Sequence, residues 1–214
     1  MVEVNLGTID RPGRRYGGIE ADQRRAERRA RLIKAALDLF GSVGYQATPV
    51  KLVCERASLT QRYFYESFRD REQLLQAVYD EQIAMVKASM YEAVISAGDD
   101  VQEQIRAGFG AVIGALLGDS RRARIVLVEV VGVSTFLESH RRGVMHQFVD
   151  FIVSIASQEF PDDMPSRFEI AAMTMVGGIT EILVDQTLGY RSATLEELVD
   201  VTSTMAIGGY LALR

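Results

Sequence analysis

Cysteine is nearly absent from this chain. Cys54 stands alone among 214 residues, which excludes an intramolecular disulfide framework. Proline occurs four times, and no window shows sustained strand-like alternation, so helices are expected throughout. No apolar run approaches the ~20 residues that span a bilayer. The N-terminal stretch MVEVNLGTIDRPGRRYGGIEA lacks the apolar segment of a secretory signal. With a single cysteine, these absences lead to the expectation of a cytoplasmic protein without a membrane partner. The two histidines, His140 and His146, do not share a helical face, and no cysteine or carboxylate completes a metal-ligand pattern around them. There is no GxSxG, no phosphate-binding Walker loop and no GxGxxG. No enzymatic activity, metal or cofactor is therefore expected.

What is present is distributed unevenly. Hydrophobic residues make up 48% of the chain, enough for a sizeable core. The overall charge is -5, yet residues 1–72 carry a net +4 and the remainder a net -9. A basic N-terminal third joined to an acidic body suits a nucleic-acid reader. The arginines at positions 24, 25, 28, 29 and 31 are equally compatible with a solvated helix face.

Residues 1–21 are polar, glycine-containing and aperiodic, and read as a disordered arm. Its Arg11, Arg14 and Arg15 form either a floppy tail or a minor-groove contact. From Asp22 to Val43 a helix is expected, with Ile33, Ala36, Leu37 and Phe40 on one apolar face and Gly44 ending it in a left-handed conformation. Thr48-Pro49 reads as an N-cap hydroxyl followed by proline at the first helical position. Val50, Val53 and Cys54 then face inward, Cys54 as a small buried residue rather than a redox sensor. Ala57-Ser58-Leu59 is a tight turn. Thr60 is expected to cap a third helix, Gln61 to Phe68. Phe64 and Phe68 share its inner face, which turns Gln61, Arg62 and Tyr65 outward and leaves Tyr63 on the flank. Gln and Arg make bidentate bonds to adenine and guanine edges, and tyrosine hydroxyls reach phosphates. Helix two, turn and helix three have the proportions of a helix-turn-helix. Asp70-Arg71-Glu72-Gln73 reads as a capping box opening helix four. Arg71 at its start is expected to help bind a phosphate.

Ile33, Ala36, Leu39-Phe40, Gly44-Tyr45, Thr48, Val53, Leu59-Thr60, Tyr65, Phe68, Arg71-Glu72 and Leu74 together resemble the DNA-binding domain of the TetR family of bacterial repressors. The resemblance runs over residues 28–75 without gaps. It departs at Pro49, where the family usually has Thr or Ser, at Cys54-Glu55 in place of an Ile-Ala pair, and at Arg71 in place of lysine. The resemblance implies that Thr48, Tyr65 and Arg71 hold the DNA backbone while Gln61, Arg62 and Tyr63, entered from Thr60, read or flank bases.

The organisation that follows is a DNA-binding domain over 22–72 and an effector-binding and dimerisation domain over 73–214, all-α, with about nine helices. Asp100, Ser134, Ser166-Arg167-Phe168-Glu169 and Thr194-Leu195-Glu196-Glu197 mark helix starts. Helix six is expected from Ser120 to Gly132, and helix seven is expected to end before Pro161. Helices eight and nine, AAMTMVGGITEILVDQTLGY and VTSTMAIGGYLAL, are apolar around most of their circumference and contain Gly177-Gly178 and Gly208-Gly209. Glycine inside a helix costs about 1 kcal/mol relative to alanine, which close approach by another helix offsets. The two helices are either core of one subunit or a dimer interface including Leu183. The resemblance implies the latter. Candidate effector-cavity residues are Met85, Met90, Phe109, Ile113, Leu116, Leu127, Val131, Phe148, Ile152, Met173 and Val176, apolar and in part adaptable. Glu129, inside IVLVEVVGV, must be paired, either with Arg106 or Arg124 or with a polar group on a ligand. Helix four joins the two domains and is expected to transmit the signal.

The combined expectation is a homodimeric, sequence-specific transcriptional regulator, released as a repressor from a palindromic double-stranded operator by a small apolar or amphipathic effector. The alternatives are a helical small-molecule-binding protein or enzyme with a vestigial DNA-binding domain, and a helical interaction module with a basic face.

Overall fold

A computed structural model describes residues 14–157 and 166–213. The first thirteen residues of the expected arm and the expected stop at Pro161 lie outside them. Among the described residues there are nine α-helices, one π-helical turn and no strand. Among the described residues, no helix is long and apolar enough to cross a membrane.

The first helix, α1 (Arg14–Phe40), starts before the expected Asp22. Glu, Gln, Ala and Arg dominate residues 20–31, and these good helix formers extend the helix beyond its apolar face. Its end is built as expected: the Val43 and Gly44 amides turn back to the Leu39 carbonyl, and Gly44 has φ +99°.

Helices α2 (Val50–Ala57) and α3 (Gln61–Ser67) follow, joined through Ser58 in the left-handed conformation (φ 52°). The two expected caps differ in detail. Pro49, not Thr48, occupies the N-cap of α2 and no side chain caps it. Thr48 is wholly buried, and its hydroxyl donates to the Gly44 carbonyl at 2.7 Å, closing the turn instead. Thr60 is the N-cap of α3 by position, but its hydroxyl makes no capping bond.

The spine is α4 (Arg71–Ser96). Asp70 caps it by accepting from the Gln73 amide at 2.8 Å. The Gln73 side chain reaches back to the Arg69 amide, one residue before the position a capping box would use. Leu74, Leu75, Val78, Tyr79, Ile83, Val86, Met90 and Val94 are buried along its length.

Around α4 stand α5 (Val101–Leu117), α6 (Ser120–Arg124), α7 (Thr135–Ala156), α8 (Ser166–Leu188) and α9 (Leu195–Leu213). The caps by Asp100 and Ser134 form as expected. Thr194 and Glu197 form a reciprocal capping box: the Glu197 amide donates to the Thr194 hydroxyl at 3.1 Å and the Thr194 amide to the Glu197 carboxylate at 2.7 Å. The expected single helix from Ser120 to Gly132 is instead α6 followed by a π-helical turn, Ile125–Glu129, ending before Gly132 at φ 72°.

One hydrophobic core runs from Leu32, Phe40 and Phe64 through Leu74, Leu75 and Val78 to Ile113, Ile125, Leu137 and Leu183. A smaller cluster of Val94, Val101, Ile155, Ala156, Phe168 and Tyr210 closes the far end. The helix-turn-helix thus shares its core with the body.

The seam between α1 and α6 depends on Gly41. A Cβ built there lies 2.7 Å from the Arg121 Cα and 2.8 Å from the Leu37 carbonyl oxygen. Arg121 also bonds Asp38 of α1 at 2.5 Å and Asp119 at 2.7 Å. The hydrogen bond from Arg121 holds the Asp119 carboxyl down to about 2. Gly41→Ala is expected to lower stability by about 1–3 kcal/mol through overpacking against backbone, read as a lower urea midpoint at unchanged slope. An unchanged midpoint would show that the helices do not approach this closely.

Candidate DNA-reading helix and ligand cavity

The outer face of α3 presents Gln61, Arg62 and Tyr65 to solvent, with Tyr65 59% exposed. The inner face is fixed by Phe64, fully buried, whose ring meets Tyr65 edge-on at 5.2 Å and Phe68 at 5.9 Å. Arg62 bonds Glu66 one turn on at 3.1 Å, a surface pair that costs little to open. Tyr63 lies on the flank, half-buried, with the Arg28 guanidinium 4.5 Å over its ring. Lys51 stands exposed on α2.

The basic run of α1 does more than coat a helix. The Arg31 guanidinium donates to the Ala57 and Ser58 carbonyls at 2.5 and 3.1 Å, tying α1 to the turn between α2 and α3. Arg29 lies 5.0 Å over the Phe68 ring. Cys54 is buried, and that burial pushes its thiol up, with the Glu55 charge adding to the effect.

Two residues expected at DNA phosphates face inward. Thr48 is buried in the turn. Arg71 sends Nη1 to the Tyr45, Gln46 and Thr48 carbonyls at 3.0, 3.4 and 2.8 Å and stacks 4.2 Å over the Tyr45 ring. The loop between α1 and α2 leaves these carbonyls without helical partners, and the guanidinium of α4 supplies their donors.

Inside the body is a cavity of about 330 Å³, bounded by α4, α5, α7, α8, α9 and the π-helical turn. Its lining is overwhelmingly apolar. It includes the expected Met90, Phe109, Leu116, Leu127, Phe148, Ile152 and Val176, as well as Tyr79, Ile83, Gln104, Val126, Arg141, Met145, Phe168 and Met175, which the sequence did not single out. Burial pushes the Tyr79 phenol up. Arg141 is paired with Glu138 at 3.0 Å, and Glu138 also accepts from the Gly132 amide.

Several expected lining residues lie elsewhere. Met85 is 47% exposed on the outer side of α4, where Arg122 approaches its sulfur. Ile113 is sealed in the core, and Met173 and Val131 are also outside the lining. Glu129 points away from the cavity. Its Oε1 accepts from Arg124 Nε at 2.7 Å and its Oε2 from the Tyr45 backbone N–H at 2.7 Å. Of the two arginines weighed as its partner, Arg124 is the one engaged; Arg106 faces Asp200 across α5 and α9. The π register explains the pairing, because it brings positions five apart toward a common face. The outcome is a carboxylate, 11% exposed, that joins the wall of the cavity to the entry of the helix-turn-helix.

His140 meets Asp80 at 2.5 Å and stacks on Phe136. Among the described residues, no three His, Cys, Asp or Glu side chains are grouped to hold a metal.

Residues 32–78 match the family described as bacterial regulatory proteins, tetR family. The chain is 37% identical over 57 residues to the transposon Tn10 TetC protein of Escherichia coli, a stretch covering 27% of this chain and 29% of that protein. Two solved structures share the fold over most of the molecule. The fatty acid degradation regulator FadR from Bacillus halodurans superposes with a TM-score of 0.73 at 18% identity, covering 87% of this chain and 97% of its own. The transcriptional regulator FadR from Bacillus subtilis, in complex with stearoyl-CoA, gives 0.72 at 17% identity, covering 84% and 98%. Residues 32–78 therefore carry the N-terminal domain of the tetR family of bacterial regulatory proteins, on a helical fold that these two structures share.

Proposed function

We propose that this protein is a transcriptional repressor that binds a palindromic operator as a homodimer and leaves it when a small apolar or amphipathic molecule enters the cavity. The observation that carries this reading is the π-helical turn. Its Val126 and Leu127 line the cavity, while its last residue, Glu129, grips the Tyr45 amide at the entry to α2. A ligand that displaces the first pair moves the second. Ligand and operator then favour different positions of one element, and the coupling is reciprocal. Helix α4, buried in both domains, moves with it. The stearoyl-CoA bound by the Bacillus subtilis regulator supports an aliphatic chain as occupant.

The dimer is supported by α8 and α9. Ile170 on α8 is 68% exposed, and Val201 and Leu211 on α9 are exposed as well. A Cβ added at Gly177, Gly178 or Gly208 meets nothing within 4 Å in the single subunit, whereas the open space at Gly209 is the cavity it lines. The glycine cost is therefore not offset inside the subunit, and a second copy packing across these faces offsets it. Leu183 is excluded from such an interface, since it is buried against its own core and lines the cavity. Two α3 helices one DNA turn apart then read a palindrome.

Selection of binding sites from a random duplex library tests the proposal. A palindromic winner with a steep inverse salt dependence is expected; no enrichment from folded, ligand-free protein refutes it. Against that site, Arg62→Ala is expected to relax preference at one base position by about 1–3 kcal/mol. The comparison is the mutant's selected profile against the wild-type one, and identical profiles would remove Arg62 from base reading.

A further inference from the structure

The end of the cavity farthest from the helix-turn-helix holds an unusual group. Gln104, in the first turns of α5, is 7% exposed and lines the cavity. Its Nε2 donates to the Gly98 carbonyl at 2.5 Å. That bond fixes the amide, because the reversed orientation would set oxygen against oxygen. The Oε1 is then a buried acceptor with no hydrogen-bond partner among the described residues. The buried residues clustered at this end are Val94, Val101, Ile155, Ala156, Phe168 and Tyr210; only Tyr210 among them carries a side-chain donor, and its hydroxyl makes no hydrogen bond to Gln104. Buried polar groups are generally satisfied, and one left open inside a ligand-sized cavity marks where a ligand's polar group belongs.

Resting on the reading of this cavity as the effector site, we propose that it selects an aliphatic molecule carrying a neutral hydrogen-bond donor, a hydroxyl, at the end that reaches Gln104. A carboxylate would set acceptor against acceptor there, and an ammonium would have to shed its hydration in an apolar pocket without a counter-charge. A plain alkyl end would leave the Oε1 unsatisfied and cover it. A site built around a polar group discriminates far more sharply than one built on apolar contact alone.

The test uses a matched pair of probes, decanol and its methyl ether, which share the chain and differ in the donor. Each competes with anilinonaphthalene sulfonate bound to the full-length protein, followed by fluorescence. Decanol is expected to displace the dye at least about tenfold more tightly than the ether, the size of one hydrogen bond left unmade. In Gln104→Met the ratio is expected to fall toward one while the ether binds at least as well as before. Equal affinities for the wild type overturn the proposal and leave the cavity reading standing. A ratio that survives in Gln104→Met also overturns it, since the donor is then read elsewhere. Failure of both probes to displace the dye overturns the proposal and the cavity reading together. The wild-type comparison decides even if the variant folds poorly.

Discussion

Glu129→Ala is expected to leave a folded protein whose operator affinity no longer answers to ligand. The carboxylate has two partners far apart in the chain: Arg124 at the head of the π-helical turn and the Tyr45 N–H at the entry to α2. Removing it strands a partly buried backbone donor and frees an arginine that is 41% exposed. The arginine hydrates at small cost. The amide does not, so a loss of about 1–3 kcal/mol is expected, seen as a lower urea midpoint. Glu129→Gln separates the two bonds. It keeps an acceptor for the Tyr45 amide and drops the charge pair, so most of the stability should return. If the mechanical reading is right, so should most of the ligand response. Operator titrations with and without a cavity ligand, run on both variants, read this directly. A Glu129→Ala protein with unchanged midpoint and unchanged ligand response would mean that the signal bypasses this contact and travels through α4 alone.

Local chemistry was legible in the chain to the extent that it is local. The capping box of Thr194 and Glu197 formed as read, because all four partners lie within one turn. Phe64 and Phe68, four apart, turned Gln61, Arg62 and Tyr65 to solvent. A need for a partner was also legible at Glu129, from the polarity of one residue among apolar neighbours. Its position was not. An apolar run such as IVLVEVV carries no signal for one extra residue in a turn, and that extra residue decides which way the carboxylate points. Cavity lining was only half legible for a similar reason. Phe109 and Ile113 lie one turn apart on α5, yet one lines the void and the other is sealed in the core. The difference is set by how the neighbouring helices pack around α5, and no property of either residue records it. The sequence carries no signal for Gln104, since a glutamine beside a helix start is as compatible with solvated surface as with burial. Its burial comes from chain segments remote in sequence.

Arg71→Ala is expected to reduce stability more than any other exposed-looking substitution in the helix-turn-helix. An arginine at the start of a helix suggests a phosphate ligand, but here Nη1 serves three carbonyls of the loop between α1 and α2 and the guanidinium stacks on Tyr45. Charge-assisted bonds of this kind contribute about 1.5–3 kcal/mol, and a stacked cation about 0.5–1 kcal/mol more at a partly exposed site. After allowance for hydration of the freed carbonyls, a loss of about 2–3 kcal/mol remains. Arg71→Lys discriminates between the two roles. Lysine retains the charge but has neither the planar fork nor the stacking surface, so it should recover less than half of the lost stability. A phosphate contact behaves oppositely. The alanine variant would keep its urea midpoint, weaken all operators alike and lower the salt slope of binding by about one, and lysine would restore binding. Urea unfolding together with operator binding at two salt concentrations distinguishes these patterns. The carbonyl contacts make loss of the fold's entry turn the expected one, with weaker DNA binding as its consequence.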